Sequence, residues 1–332
     1  MLARTGGGSR DSSLLPNAHA LMERETSAAL CSALANCQSS VTLVSPFVKS
    51  AALGRLLEAL PKSVVLTVIT RWRPLEIAAG VSDLAVLDQC LARPGGVLYL
   101  LDNLHAKYYR VDDSVFIGSA NLTAAGLGWS SAPNLEILHQ VGFDENWERF
   151  EQLVLMRSAR ATRELRDVVQ AAVDSLPPTQ PIPFGSVEDQ LPTGIGTSAT
   201  LRWVPSSRSP ESLFSCYQGC HDRVTQSAMK AGQWDVSALS LPSGLSADQF
   251  VSFTRAALLQ QPVMRELREI SGDGPRFGEL KVRFSKRFAL ELEGRDVTEA
   301  TQTLMRWATC FFPDRYRVRV FRYSECLQYV DG

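Results

Sequence analysis

Histidine is scarce in this chain, four among 332 residues, so any chemistry built on imidazole has few places to reside. Long apolar runs are missing as well. No stretch approaches the roughly 18 residues needed to cross a bilayer, and the polar, Gly/Ser-rich opening MLARTGGGSRDSS has no apolar core of signal-peptide length. Charge of one sign is not in excess. Thirty-four Lys and Arg against 35 Asp and Glu leave a formal net charge of −1, so global charge advertises no polyanion partner. Any nucleic-acid affinity must come from local clusters. The seven cysteines (Cys31, Cys37, Cys90, Cys216, Cys220, Cys310, Cys326) are odd in number and scattered through apolar stretches. Such a set fits a reducing compartment, where buried cysteine behaves as a small hydrophobe. Taken together, these absences read as a cytoplasmic protein with no membrane partner.

The rest of the composition is that of a globular protein, 45% hydrophobic and 21% charged, in a chain long enough for two domains. Residues 1–16 read as a disordered N-terminus. From Ala18 to Cys37 apolar residues recur at helical spacing. SVTLVSPFV then reads as a buried strand, SAALGRLLEAL as a helix, SVVLTVITRW as a second strand and SDLAVLDQCLAR as another helix. Past the turn signal Pro94-Gly95-Gly96 come three strand-like pieces, GVLYLL, LHAKYYRV and DSVFIGS, with a further apolar run from Leu135 to Gly142. Strands alternating with helices and then a short meander predict a mixed sheet covered by helices. Helical pattern follows from Glu145 to Leu176.

Proline and glycine crowd residues 179–198, the expected linker. Residues 199–332 read as an α+β domain: a strand at LRWV, a short strand WDVSALSL between two helices, strands GELKVRF and RFALELEG, a helix TEATQTLMRWATCF and a strand YRVRVFRY.

One stretch concentrates reactive groups. In LHAKYYRVDDSVFIGSANLT, His105 and Lys107 stand at i and i+2 of an expected strand and so share one face. Asp112 ends that strand, and a second strand runs into Gly118-Ser119-Ala120-Asn121, a turn able to present Ser119, Asn121 and backbone N–H groups beside the same face. The combination suits attack on phosphorus. Imidazole is a competent nucleophile or acid/base near neutral pH, and an ammonium with amide donors stabilises charge building on phosphoryl oxygens.

These residues resemble the phospholipase D superfamily, whose signature is H-x-K-x4-D followed by G-S-x-N. His105, Lys107 and Asp112 keep the first spacing, while the interval from Asp112 to Gly118 holds five residues, one fewer than the commonest form. Asn134 and Glu136 match the family's acidic position on the next strand, whose carboxylate hydrogen-bonds the catalytic histidine. The resemblance covers residues 20–175 and implies a phospholipase D-like catalytic domain over residues 17–178. It implies His105 as nucleophile forming a phosphohistidine, a second histidine to protonate the leaving group, and neither metal nor cofactor. Family enzymes need two H-x-K motifs. His19, His139 and His221 are followed two residues later by Leu21, Val141 and Arg223, none of them lysine. The resemblance therefore implies a homodimer with two copies of His105 facing each other, with the Ser119–Trp129 surface, Leu127 and Trp129 included, at the interface.

Fainter signals point to nucleic acid. Arg71 and Arg73 in TRWRP leave a strand's carboxyl end, where α/β sheets gather ligands, and Trp72 between them can stack on a base; a solvated loop is the plainer reading. Lys281, Arg283 and Arg287 on one strand face, and Arg315, Arg317 and Arg319 on another, would make a backbone-tracking surface. Glu291, Glu293 and Asp296 stand near enough to neutralise it. Cys216, Cys220 and His221 lack a fourth zinc ligand. The function expected is a metal-independent phosphodiesterase, a nuclease on DNA ahead of RNA. A non-hydrolytic nucleic-acid-binding subunit of a larger defence complex and a phospholipid phosphodiesterase remain open beside it.

Overall fold

The computed structural model describes residues 18–177, 202–222, 224–321 and 324–330; the expected disordered N-terminus and linker lie outside them. Helix α1 (Ala18–Ala35) leads into β1 (Ser40–Val44), α2 (Ser50–Ala59), β2 (Val65–Thr70), the short helices α3 (Pro74–Ala78) and α4 (Val86–Leu91), and β3 (Val97–Leu100). β1 pairs in parallel with β2, and β2 with β3. The meander β4 (Tyr108–Val111), β5 (Ser114–Gly118) and β6 (Leu138–Gly142) is antiparallel throughout and docks through β4 on β1. After α5 (Glu145–Arg157), the two-residue β7 (Ala159–Arg160) closes the far side against β3, and α6 (Arg163–Asp174) follows. The result is a seven-stranded mixed sheet in the order β6-β5-β4-β1-β2-β3-β7. The mixed α/β fold expected from the sequence is present.

Parallel strands need cover on both faces, which is why β1 and β2 read as continuous β-branched runs. One face carries Val41, Leu43, Leu66, Val68, Tyr109 and Phe116 into the main core; the other carries Val44, Ile69, Tyr108 and Val115 against α5. Helix α5 starts cleanly because the Asp144 carboxylate accepts from the N–H groups of Asn146 and Trp147, a cap worth about 1 kcal/mol.

The C-terminal half holds a 3-10 turn, Pro210–Ser212, and helices α7 (Leu213–Gln218), α8 (Gln226–Ala238), α9 (Ala247–Leu259), α10 (Pro262–Ser271), α11 (Phe277–Arg287) and α12 (Val297–Phe311). It ends in a hairpin of β8 (Tyr316–Phe321) and β9 (Ser324–Tyr329). Four expected strands are absent. Residues 202–204 of LRWV have no strand partner, WDVSALSL falls mostly within α8, GELKVRF is α11 and RFALELEG is helix end and turns. The sequence ELKVRF alternates like a strand, but Leu280, Phe284 and Phe288 also recur every fourth residue, and that period wins. All three are at most 1% exposed, whereas Val282, which a strand would bury with them, is 49% exposed. A single apolar cluster runs from Leu30 to Leu327 and takes in residues of both halves.

Candidate active site

Because β4 runs against β1, the carboxyl ends of β1, β2 and β3, the start of β4, the end of β5 and the start of β6 all lie at one end of the sheet. His105 and Lys107 immediately precede β4 there. The strand begins only at Tyr108, so both residues sit on its approach and not within it. Leu104 and Tyr108, 3% and 1% exposed, pin the approach on either side, leaving His105 exposed and Lys107 half-buried. The Lys107 ammonium donates to the His105 carbonyl at 2.9 Å and lies 3.4 Å from His105 Nε2. An ammonium has only protons to give, so this approach suits an imidazole whose Nε2 carries its lone pair.

The Gly118–Asn121 turn is fixed from three sides. A Cβ on Gly118 would lie 1.8 Å from the Ile137 carbonyl, so only glycine lets β5 end this close to the chain entering β6. Ser119 N–H donates to that carbonyl at 2.9 Å, and the Ser119 hydroxyl accepts from Ile137 N–H at 3.0 Å while donating to the Glu136 carboxylate. The other Glu136 oxygen accepts from Asn134 Nδ2 at 3.0 Å. Beneath the turn, Tyr109 is fully buried and its hydroxyl donates to the Ala120 carbonyl. Burial pushes the Tyr109 phenol well above its ordinary pKa, so it stays a neutral donor. Ser45, also fully buried, donates to Asn121 Oδ1 at 3.2 Å and accepts from Leu122 N–H at 3.2 Å. His105, Lys107, Ser119, Asn121 and Glu136 thus converge on one end of the sheet.

Asp112 does not join them. It sits at the opposite end, beyond the four residues of β4, roughly 13 Å along the strand. In the two-residue turn between β4 and β5 it holds a left-handed φ of 48°, which Asp tolerates better than most residues. Its carboxylate accepts from the N–H groups of Gln38, Ser39 and Ser40 at 2.8, 2.9 and 3.1 Å and from the Ser39 hydroxyl at 2.6 Å. Burial opposes ionisation, but those donors, the Ser39 hydroxyl foremost, outweigh it and hold the carboxyl well below its ordinary pKa. Asp112 staples the start of β1 to the β4–β5 turn; its role is structural.

Nor do Arg71, Trp72 and Arg73 present a phosphate-binding loop. Trp72 is 0% exposed and cannot stack on a base. Arg71 makes a bidentate pair with Glu76 at 3.0 and 2.6 Å, their side chains only 6% and 1% exposed. Breaking such a pair strands a buried charge at a cost of about 3–5 kcal/mol, so Arg71 cannot turn outward. Arg73 is engaged by Asp102 at 3.0 Å. In the C-terminal half, Arg283 is held by Asp273 and Glu279, Arg287 by Glu266 and Glu269, and Lys281 reaches Thr298 at 3.5 Å. All three stand on α11, not on a strand. Arg315 precedes β8 and pairs with Glu164. Arg317 and Arg319 alone keep the expected geometry, on one face of β8, exposed, with no carboxylate paired to them among the described residues.

Sequence reasoning missed Ser45 and Tyr109; the SPF run after β1 was the available signal for Ser45, whereas nothing marks one tyrosine of YYRV as the buried prop. It also misplaced the exposed apolar surface. Leu127 is 2% exposed and belongs to the core, and Trp129 is half-buried under Arg55, 4.2 Å from its ring centroid. The open apolar side chains at the rim are Leu135 and Ile137, 68% and 67% exposed, beside β6 at the edge of the sheet.

No protein-family model and no curated protein matches the chain. Among solved structures, NucT from Helicobacter pylori aligns with a TM-score of 0.32 at 18% identity, over 41% of this chain and 88% of that one. Phosphatidylserine synthase from Haemophilus influenzae aligns with a TM-score of 0.37 at 11% identity, over 47% of this chain and 43% of that one. TrmBL2, an archaeal chromatin protein, gives 0.28 at 14% identity over 40% and 48%. Likenesses this partial decide neither fold nor chemistry.

Proposed function

We propose that this protein is a metal-independent phosphodiesterase of the phospholipase D type, a nuclease acting on DNA in preference to RNA through a phosphohistidine intermediate. The observation that carries the reading is the convergence of His105, Lys107, Ser119, Asn121 and Glu136 at one end of the sheet. In this reading His105 Nε2 attacks phosphorus. Lys107 and the amide groups of the Gly118–Asn121 turn stabilise the phosphoryl oxygens, and Glu136, with Asn134, holds the turn and orients the site.

Expelling an alkoxide at neutral pH needs a proton donor, help typically worth about 10²- to 10⁴-fold. His139 is poorly placed for that role. It pairs with Ile117, itself opposite Tyr108, and so shares the α5 face of the sheet, away from Tyr109 and the groups it props. In this reading, as the resemblance to the phospholipase D superfamily implies, the donor is His105 of a second copy in a symmetric homodimer, with Leu135 and Ile137 at the contact. Exposed Arg317 and Arg319 favour a nucleic-acid strand over a lipid headgroup.

The test is cleavage of single- and double-stranded DNA and RNA in the presence of EDTA. His105→Ala should abolish it with the thermal midpoint unchanged. Mixing wild type with His105→Ala should lower activity as the square of the wild-type fraction. A linear fall puts both catalytic groups in one chain. Tight binding with no cleavage of any substrate makes the protein a binding subunit instead.

A further inference from the structure

The residue following the Leu239 cap of α8, Ser240, holds φ at 51°. Helices commonly end on a left-handed residue, and glycine is the usual choice because it alone has no Cβ to crowd. This chain makes that choice at the end of α7, where Gly219 has φ 71°. A serine in the same conformation is strained, and such residues persist where their surroundings over-determine them, often at sites of function.

The surroundings of Ser240 belong to the other half of the molecule. Its hydroxyl donates to Asp102 Oδ2 at 2.8 Å and accepts from Arg73 Nη2 at 3.2 Å. Arg73 in turn donates to Asp102 Oδ1 at 3.0 Å and to the Asp102 carbonyl at 2.9 Å. Asp102 lies in the turn Leu101–Leu104, closed by Leu104 N–H on the Leu101 carbonyl at 3.0 Å, and the next residue is His105. The far end of that turn is held too: Arg71 Nη1 donates to the Leu104 carbonyl at 2.7 Å. The segment bearing both arginines is itself gripped from the C-terminal half. Buried Gln260, at the end of α9, donates to the Trp72 carbonyl at 2.9 Å and accepts from Trp72 N–H at 3.4 Å. Hydrogen bonds and ion pairs thus tie Ser240 to Asp102 and Gln260 to Trp72, and short backbone stretches carry both on to the residue before His105.

We infer that Ser240, acting through Asp102 and Arg73, is a positioning residue for His105, so that the C-terminal half sets the working geometry of the loop that carries the nucleophile. Catalytic groups must be held within a fraction of an ångström by what supports them, and the turn that Asp102 and Arg73 hold runs directly into His105. The activity arm of the test rests on the phosphodiesterase reading; the reactivity arm does not.

Ser240→Gly removes the hydroxyl and relieves the left-handed strain. Ser240→Asn tolerates that conformation and restores a donor toward Asp102. In the full chain, diethyl pyrocarbonate modification of His105 is followed by mass spectrometry against His139 and His221 as internal references, with kcat, KM and thermal midpoint measured alongside. For Ser240→Gly the relative His105 modification rate should change, and kcat fall, by about three- to tenfold, the factor one such hydrogen bond is worth. KM should stay constant and the midpoint should not drop. Ser240→Asn should recover most of both effects. Wild-type His105 reactivity and kcat in Ser240→Gly overturn the inference, as does a loss that Ser240→Asn leaves unrepaired. If wild type cleaves no phosphodiester yet His105 reactivity responds, the positioning role stands and the phosphodiesterase reading falls.

Discussion

Replacing Asp112 by Asn separates structure from chemistry within the very motif that drew attention to the chain. Asn tolerates the left-handed φ of 48° at this turn, so the backbone is spared. What changes is the acceptor set. Oδ1 serves the Ser39 and Ser40 N–H groups and the Ser39 hydroxyl, and Oδ2 serves Gln38 N–H. An amide keeps one oxygen, turns the other into a donor facing a donor, and removes the charge. Hydrogen bonds to charged groups are worth about 1.5–3 kcal/mol each when one partner is lost, and the half-exposed setting lets water recover part of that. The net cost should be about 2 kcal/mol, a drop of about 3 °C in the thermal midpoint for a chain of this size. Because the Asp112 carboxyl is held below its ordinary pKa, its stabilisation is complete above about pH 4 and is lost as pH falls through the folded-state value. The gap between wild type and Asp112→Asn, followed by circular dichroism, should therefore be full at pH 7 and shrink below about pH 4. Turnover of bis(p-nitrophenyl) phosphate at 25 °C should stay within about twofold. An unchanged midpoint with turnover abolished would return Asp112 to the active site and refute the structural assignment.

Gly118→Ala forces a Cβ to 1.8 Å from the Ile137 carbonyl; the chain must give way, at about 3 kcal/mol by denaturant titration, and turnover should fall with the displaced Ser119. Glu136→Gln keeps the shape but removes the charge that Ser119 and Asn134 donate to; kcat should drop about tenfold with a displaced pH–rate profile, and wild-type kinetics would exclude it from the site. Arg317→Ala combined with Arg319→Ala should flatten the plot of log affinity for duplex DNA against log salt by about 2, close to 0.9 per phosphate contact removed, with the cleavage of bis(p-nitrophenyl) phosphate untouched; an unaltered slope would take β8 out of the interface.

The α/β half was legible because its signals are local. β1 and β2 are mostly buried runs rich in β-branched residues, and the β4–β5 hairpin carries its own turn. The C-terminal half misled because ELKVRF satisfies two periods at once, and packing against α10, α12 and β9 selects the helix. Residue types and spacing singled out His105, Lys107 and the Gly118 turn, which the fold brings to one end of the sheet. They failed wherever the role depends on a partner remote in sequence. Asp112 meets Ser39 from 73 positions away. Arg71 and Arg73 look like phosphate ligands until Glu76 and Asp102 are seen to claim them. Trp72 reads as a stacking platform until α9 covers it.

The single apolar cluster spanning both halves bears on how such a protein can be divided or recombined. Separating the two halves would uncover Trp72 and the face of α6 that α9 now covers, apolar surface of the kind that makes fragments aggregate. His105, Lys107 and the Gly118–Asn121 turn would all remain on the N-terminal piece, yet it would lose its apolar cover and the fastening of the turn before His105 together. The C-terminal half therefore cannot be exchanged like a cartridge; any graft has to reproduce the surface that meets Trp72 and the turn before His105.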